Sequence, residues 1–293
     1  GDARVVLAPA TGGSIVAFTL RGRPVLRSTP PAARAARDVL RHACYPLVPY
    51  SNRIAQATLR VGARDHALTR HFGDSPHSIH GAGWERGWSV LAASATEAAI
   101  ELQYDPAAAG AWPFAFRARQ TFSLSGTADD AALVVTLSIE NAGDAAFPCG
   151  LGFHPFFPRS AATTLGFRAG GVFDHDASLL PVARVPIDDA RRFEPPRRVD
   201  DLALDHVYCA WDGHATIAQP DSGLVVELTA PPPATFLVVY VPRRGDFLAV
   251  EPVTHMTDAF NRAARGERGT GTRRLEPGAA LSCTMRIAAR ALA

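Results

Sequence analysis

Apolar and polar residues alternate along much of this chain with a period of two. Leu133, Val135, Leu137 and Ile139 interleave with Val134, Thr136, Ser138 and Glu140, which gives one apolar and one largely polar face. The preceding segment repeats the pattern, with Phe116, Ala118, Phe122 and Leu124 set against Arg117, Arg119, Thr121 and Ser123. The runs Leu224–Leu228, Phe236–Val241, Phe247–Val250 and Leu281–Ile287 are short, apolar or β-branched, and bounded by Pro or Gly nearby. Turn signals recur at Ser125-Gly126, Asn141–Gly143, Asp221–Gly223, Pro231–Pro233 and Arg244–Asp246. One short helix is predicted over Ala32–His42, just after Pro30-Pro31. Two long loops are expected, Val182–Asp205 and Thr254–Gly278. Many short strands with frequent turns predict an all-β fold, a large sandwich, and no βαβ repeat.

Composition narrows this reading. The 293 residues carry no clear linker or repeat, so a single domain over 1–293 is expected, with 47% hydrophobic residues to fill its core. All 30 basic residues are Arg, scattered against 28 acidic ones, which gives no footprint for nucleic acid. Without Lys, no side chain can form a Schiff base with a sugar aldehyde. Cys44, Cys149, Cys209 and Cys283 are widely spaced with no CxxC, and read as buried free thiols and a cytoplasmic location. No apolar run is long enough to span a bilayer as a helix, so no membrane partner is expected.

Five places set polar groups against apolar or rigid backbone. In Tyr45–Ile54, two prolines stiffen the approach to Asn52 and Arg53. A guanidinium fork suits sugar hydroxyls or carboxylates, although an Arg after a turn is more often a solvated surface residue. In His77–Trp88, glycines flank His80, and Trp84 could stack on the apolar face of a pyranose or simply fill the core. The His77/His80 spacing lacks a third ligand, so no metal is predicted. In Gly150–Phe157, His154 is restricted by Pro155 and flanked by aromatics, as a satisfied core histidine would also be. Asp205 follows the first long loop and could accept hydroxyl hydrogen bonds or cap a turn. Finally, Phe247–Val250 deliver Glu251 to what reads as a strand end, with Pro252 stopping the ladder; burial there would raise the pKa and make a useful base.

Read in order, these segments resemble the aldose 1-epimerase (mutarotase) family. The resemblance rests on Pro-Leu-Val-Pro-Tyr-Ser-Asn-Arg-Ile at 46–54, His80-Gly81, Gly152–Phe157, Leu204-Asp205 and Glu251-Pro252, and runs from about Gly12 to Ile287. It implies a galactose mutarotase-like supersandwich with an open sugar cleft, no cofactor, a small-molecule sugar as partner, and a monomer or homodimer. It also implies roles: Glu251 the base at the anomeric hydroxyl, His154 the acid at the ring oxygen, His80 a catalytic hydrogen bond near that oxygen, and Arg53, Asn52, Asp205 and Trp84 contacts to the sugar. Phe156 stands where Tyr is familiar, and His80–Trp88 is closer to a bacterial branch than to the galactose-specific enzymes. Three other readings stay open: a hexose-6-phosphate mutarotase using Arg191-Arg192 or Arg243-Arg244, a non-catalytic carbohydrate-binding domain, and a metal-dependent sugar isomerase resting only on the His77/His80 spacing.

Overall fold

A computed structural model describes residues 2–106 and 110–292. The alternating segments are strands, and they assemble into two large antiparallel sheets. The first has nine strands, among which Phe116–Gly126, Asp130–Asn141 and Ala280–Ala291 lie side by side in long unbroken register. Their apolar faces, including Val135, Leu137, Ile139, Cys283 and Met285, are buried. Leu281 remains partly exposed at the start of its strand.

The second sheet has eight strands and positions the site. Leu204–Cys209, Phe236–Val241 and Phe247–Val253 lie adjacent, and Phe247–Val253 then pairs with Gly152–Phe153 and Phe156–Pro158. Because side chains alternate, each strand sends one set to each face. Leu237, Val239, Leu248 and Val250 point to the side that is fully buried in the core. Val238, Tyr240, Ala249 and Glu251 point to the other. The buried residues of both large sheets belong to one hydrophobic cluster.

Several local expectations are corrected. The strand Phe247–Val253 does not stop at Pro252; Leu237 still pairs with it and Phe236 with Val253. A proline is tolerated here because the neighbour on its nitrogen side is interrupted. The Val250 N–H donates to Pro155 and the Thr254 N–H to Leu151, so the Pro252 nitrogen faces Phe153 and one ladder bond is missing. The segment Ala32–His42 is a one-turn helix, Pro31–Ala35, and a 3₁₀ turn, Val39–Arg41. Arg37 lies between them at φ 55°, which breaks the helical path. Thr254–Gly278 contains the helix Ala259–Ala264, anchored by buried Phe260 and by Asn261, and the strand Arg273–Leu275. Val182–Asp205 begins and ends inside strands Pro181–Val185 and Leu204–Cys209, with Arg197–Arg198 pairing between them. All four cysteines are free and buried, and among the described residues no helix is long and apolar enough to cross a membrane.

The two faces of the second sheet should respond differently to truncation. Leu237→Ala opens a cavity in the core and is expected to cost about 2–5 kcal/mol. Tyr240→Phe, on the opposite face, should change stability by less than about 1 kcal/mol. Urea unfolding of both variants measures the contrast.

Candidate active site

The register of the second sheet brings the polar residues together. Asp205 pairs with Tyr240, Tyr240 with Ala249, and Ala249 with Phe156. One step along the strands, Val207 pairs with Val238 and Val238 with Glu251. Carried past Ala249–Phe156 in the same register, Glu251 falls opposite His154, which in turn hydrogen-bonds through its N–H to the Tyr45 carbonyl. Two rows of side chains therefore stand on one face: Val238, Glu251, His154 and Tyr45, then Asp205, Tyr240 and Phe156. Glu251 and His154 form a non-hydrogen-bonded antiparallel pair, the arrangement in which facing side chains come closest. Their side chains meet at 3.3 Å, His154 Nε2 to Glu251 Oε1.

The remaining groups come from the loop before this sheet. Arg53–Ile54 pairs with Ser78–Ile79, Arg53 opposite Ile79. Asn52 and His80 both sit at positive φ, 58° and 65°, and lock each other. The His80 N–H donates to the Asn52 carbonyl, and the Asn52 N–H donates to His80 Nδ1 at 3.1 Å. Accepting at Nδ1 leaves the neutral His80 ring with its proton on Nε2, as a donor. Gly81, at φ 70°, permits this turn; a Cβ there would meet the Val48 carbonyl oxygen at 2.5 Å. Asn52 Oδ1 accepts from the Arg53 backbone N–H and from Nη1, while Nη2 reaches Asp205 Oδ2 at 3.4 Å. Asn52 thus orients Arg53, and Arg53 is shared with Asp205.

These groups line one cavity of about 490 Å³, together with Leu40, Phe156, Leu179, Tyr240 and Phe247. The size suits a small ligand, and an apolar wall with a few convergent polar groups is the usual composition of such a site. Glu251 and His154 are 2% and 7% exposed at its floor. Burial pushes Glu251 well above the ordinary carboxylate range, with Asp205 adding to the push and Arg53 opposing it. Burial first, and the Arg27 charge next, push His154 down to about 3. The sequence led us to expect a carboxylate facing an imidazolium. Instead, both members are driven towards neutrality, and the pair is best described as holding one proton between two sites. His80 is also pushed well below the ordinary imidazole value, by burial first and by His154 and Arg53 next.

The sequence model of the aldose 1-epimerase family matches residues 1–288. The chain belongs to that family. YphB of Escherichia coli (strain K12), an uncharacterized protein, is 29% identical over 264 residues, covering 87% of each chain. A galactose mutarotase-like protein from Clostridium acetobutylicum superimposes with a TM-score of 0.85 at 16% identity, over 100% of this chain and 94% of that one. Galactose 1-epimerase from Lactobacillus acidophilus does so with a TM-score of 0.77 at 16% identity, over 100% and 92%. The fold is the galactose mutarotase-like one, and the family supports sugar mutarotation in general terms.

Six of the seven residues singled out in the sequence, all but Trp84, line this cavity. Trp84 is buried 6.2 Å from the Tyr45 ring and 5.5 Å from His71, and does not line it. It backs the cavity wall and is not placed to stack on a ligand. The His77 and His80 rings do not converge on a metal: Nδ1 of His77 accepts the Gln56 N–H, as His80 accepts that of Asn52. Among the described residues no cluster of three or more His, Cys, Asp or Glu could hold a metal ion. Sequence reasoning missed Tyr45 and Tyr240 as wall residues, although both lie within recognised segments. Nothing in the sequence pointed to Leu40 or Leu179, which topology alone delivers.

Glu251 should cost stability where it would otherwise ionise. Its folded pKa is raised, so the folded state keeps a proton that the unfolded chain releases above about 4.5. Stability from this group is therefore complete at low pH and is lost as pH rises. Glu251→Gln is expected to gain about 1–2 kcal/mol at pH 8, with the gain vanishing near pH 4. Thermal melts of both proteins across that range measure it.

Proposed function

We propose that this protein interconverts the α and β anomers of a free aldose by acid–base catalysis at Glu251 and His154, without metal or cofactor. The observation that carries this reading is the buried contact of 3.3 Å between the two groups on the floor of a ligand-sized cavity. Ring opening removes the proton from the anomeric hydroxyl and delivers one to the ring oxygen. The C1–O1 bond becomes a carbonyl as the bond from C1 to the ring oxygen breaks. In the ion-paired form, Glu251 takes the first proton while His154 gives the second. The pair then stands as neutral carboxylic acid and neutral imidazole, with its proton count unchanged. That is the form burial favours, so the low-polarity floor stabilises the pair as it stands opposite the open-chain aldehyde. Rotation about the bond between C1 and C2 turns the other carbonyl face to the ring hydroxyl. Closure with the proton movements reversed gives the other anomer.

His80 donates through Nε2–H to the oxygen that changes charge, and Arg53 with Asp205 grips hydroxyls. A free sugar is favoured over a phosphorylated one by the charges on the wall. Arg53 is the cationic side chain lining the cavity among the described residues, and it is already shared with Asp205. Arg191 and Arg192 are paired with Asp174, Asp188 and Asp189, and neither they nor Arg243-Arg244 line the cavity. A phosphate would meet two carboxyl groups and no free cation. The paired acid and base favour an enzyme over a carbohydrate-binding domain, which needs only the gripping residues.

Exchange spectroscopy by NMR across a panel of free and 6-phosphorylated aldoses tests the assignment. Glu251→Gln and His154→Asn should each lower kcat by roughly 10²–10⁴-fold with sugar binding retained. The double variant should be little worse than the poorer single one. Wild-type exchange rates in Glu251→Gln would leave a binding domain as the better account. Arg53→Ala and Asp205→Asn should chiefly raise KM, since their contacts exist in ground and transition states alike.

The pH profile follows from the single shared proton. Activity should fall at low pH when the pair gains a second proton and at high pH when it loses its only one. With His154 pushed down and Glu251 pushed up, a plateau should run through neutral pH, its acid limb well below 6.5. Measured exchange rates that halve near pH 6.5 on the acid side would contradict the shared-proton description.

A further inference from the structure

His154 is held in place by stacking more than by hydrogen bonds. Its Nδ1 is buried without a hydrogen-bond partner among the described residues, and Nε2 faces Glu251. One face of the ring lies 4.4 Å from Phe156, nearly parallel at 29°, and Tyr45 lies 4.6 Å away at 31°. Behind Phe156 stands a cation. The Arg27 guanidinium carbon is 3.8 Å from the Phe156 centroid and 4.5 Å from that of Phe247. Both Phe156 neighbours sit over its ring at stacking distance, so they occupy its two faces. Arg27 and His154 thus lie on opposite faces of Phe156, while Tyr45, 6.0 Å from Phe156, closes a triangle with the two rings.

Arg27 is itself fixed. Its backbone N–H donates to the Phe156 carbonyl, and Nη2 donates to the carbonyls of Leu40 and His42 at 3.2 and 2.9 Å. No carboxylate lies within ion-pair distance among the described residues, and Nε is buried without a hydrogen-bond partner. Asp246, Asp38, Arg41, Tyr45 and His42 are the titratable groups around it. Around His154 they are Glu251, Tyr45 and His80, the last 5.2 Å away edge-on. Arg27 does not line the cavity.

We propose that Arg27 is a positioning residue for the acid–base pair: it clamps Phe156 against the imidazole, and its fixed charge biases the shared proton towards Glu251. A guanidinium on an aromatic face is attracted by the ring quadrupole, which gives the clamp its hold. Its charge lies one aromatic ring away from the imidazole across low-dielectric material, close enough to oppose a second positive charge there. His154 then binds its proton weakly, as a donor to a ring oxygen must. The kinetic consequence rests on the mutarotase reading above; the proton bias does not.

Arg27→Met keeps the stem and removes the charge. Arg27→Lys keeps the charge and loses the flat stacking surface. In Arg27→Met both limbs of the kcat–pH profile should move to higher pH by on the order of one unit, since both the second proton and the only proton are then bound more easily. KM should be unchanged within about twofold, and Arg27→Lys should restore the limbs. A residue that only packs would lower kcat at every pH and leave the limbs in place.

Independently of turnover, ¹⁵N NMR of the His154 ring should show more imidazolium character at neutral pH in Arg27→Met than in wild type or Arg27→Lys. If no aldose is turned over, the mutarotase reading fails and the ring spectrum alone decides the bias. If Arg27→Met does not fold, the wild-type and Arg27→Lys spectra decide it, since both should show a neutral ring. A His154 spectrum identical in wild type and Arg27→Met, or an imidazolium in wild type at neutral pH, overturns the proposal.

Discussion

The buried contact between Glu251 and His154 governs the site. Placing an acid and a base in low-polarity surroundings is costly unless each limits the charge on the other. Here burial drives both towards neutrality, and the result is a pair with one proton and two places to put it. The rest of the floor preserves that condition. Phe156 and Tyr45 pack against the buried imidazole, and Val238 stands beside Glu251 in the next strand.

The backbone keeps this pair in register with little help from local hydrogen bonds. Pro155 and Pro252 each lack an N–H, and they flank the two functional residues on facing strands. The ladder there is reduced to a few bonds, such as Val250 to Pro155 and Thr254 to Leu151. What fixes the strands is their other face, where Val250, Leu248 and Leu237 are sealed in the core. A one-residue slip would bring Glu251 into that core and Val250 into the cavity, so the hydrophobic pattern itself enforces which face carries Glu251.

The Arg53 side of the cavity is built differently, from strained turns. Asn52 and His80 occupy a backbone region disfavoured for side chains with a Cβ, and each stabilises the other there by a reciprocal hydrogen bond. The same lock sets the His80 tautomer and aims Arg53 towards Asp205. Relatives in the aldose 1-epimerase family share the sandwich at low identity, and the superpositions at 16% identity speak to that fold alone.

The sequence by itself determined the fold class and most of the site. Alternation over Leu133–Ile139 and Phe116–Leu124 fits a half-buried sheet, and the spaced motifs around Arg53, His80, His154, Asp205 and Glu251 marked the cavity lining. Tertiary structure alone decided three things. Trp84 went to the core behind Tyr45, because period and neighbours cannot tell a stacking ring from a supporting one. Pro252 stayed inside its strand, because the interruption that accommodates it belongs to a partner about a hundred residues away in sequence. Both members of the pair are driven towards neutrality, because a pKa depends on surrounding volume and charge that no linear motif encodes.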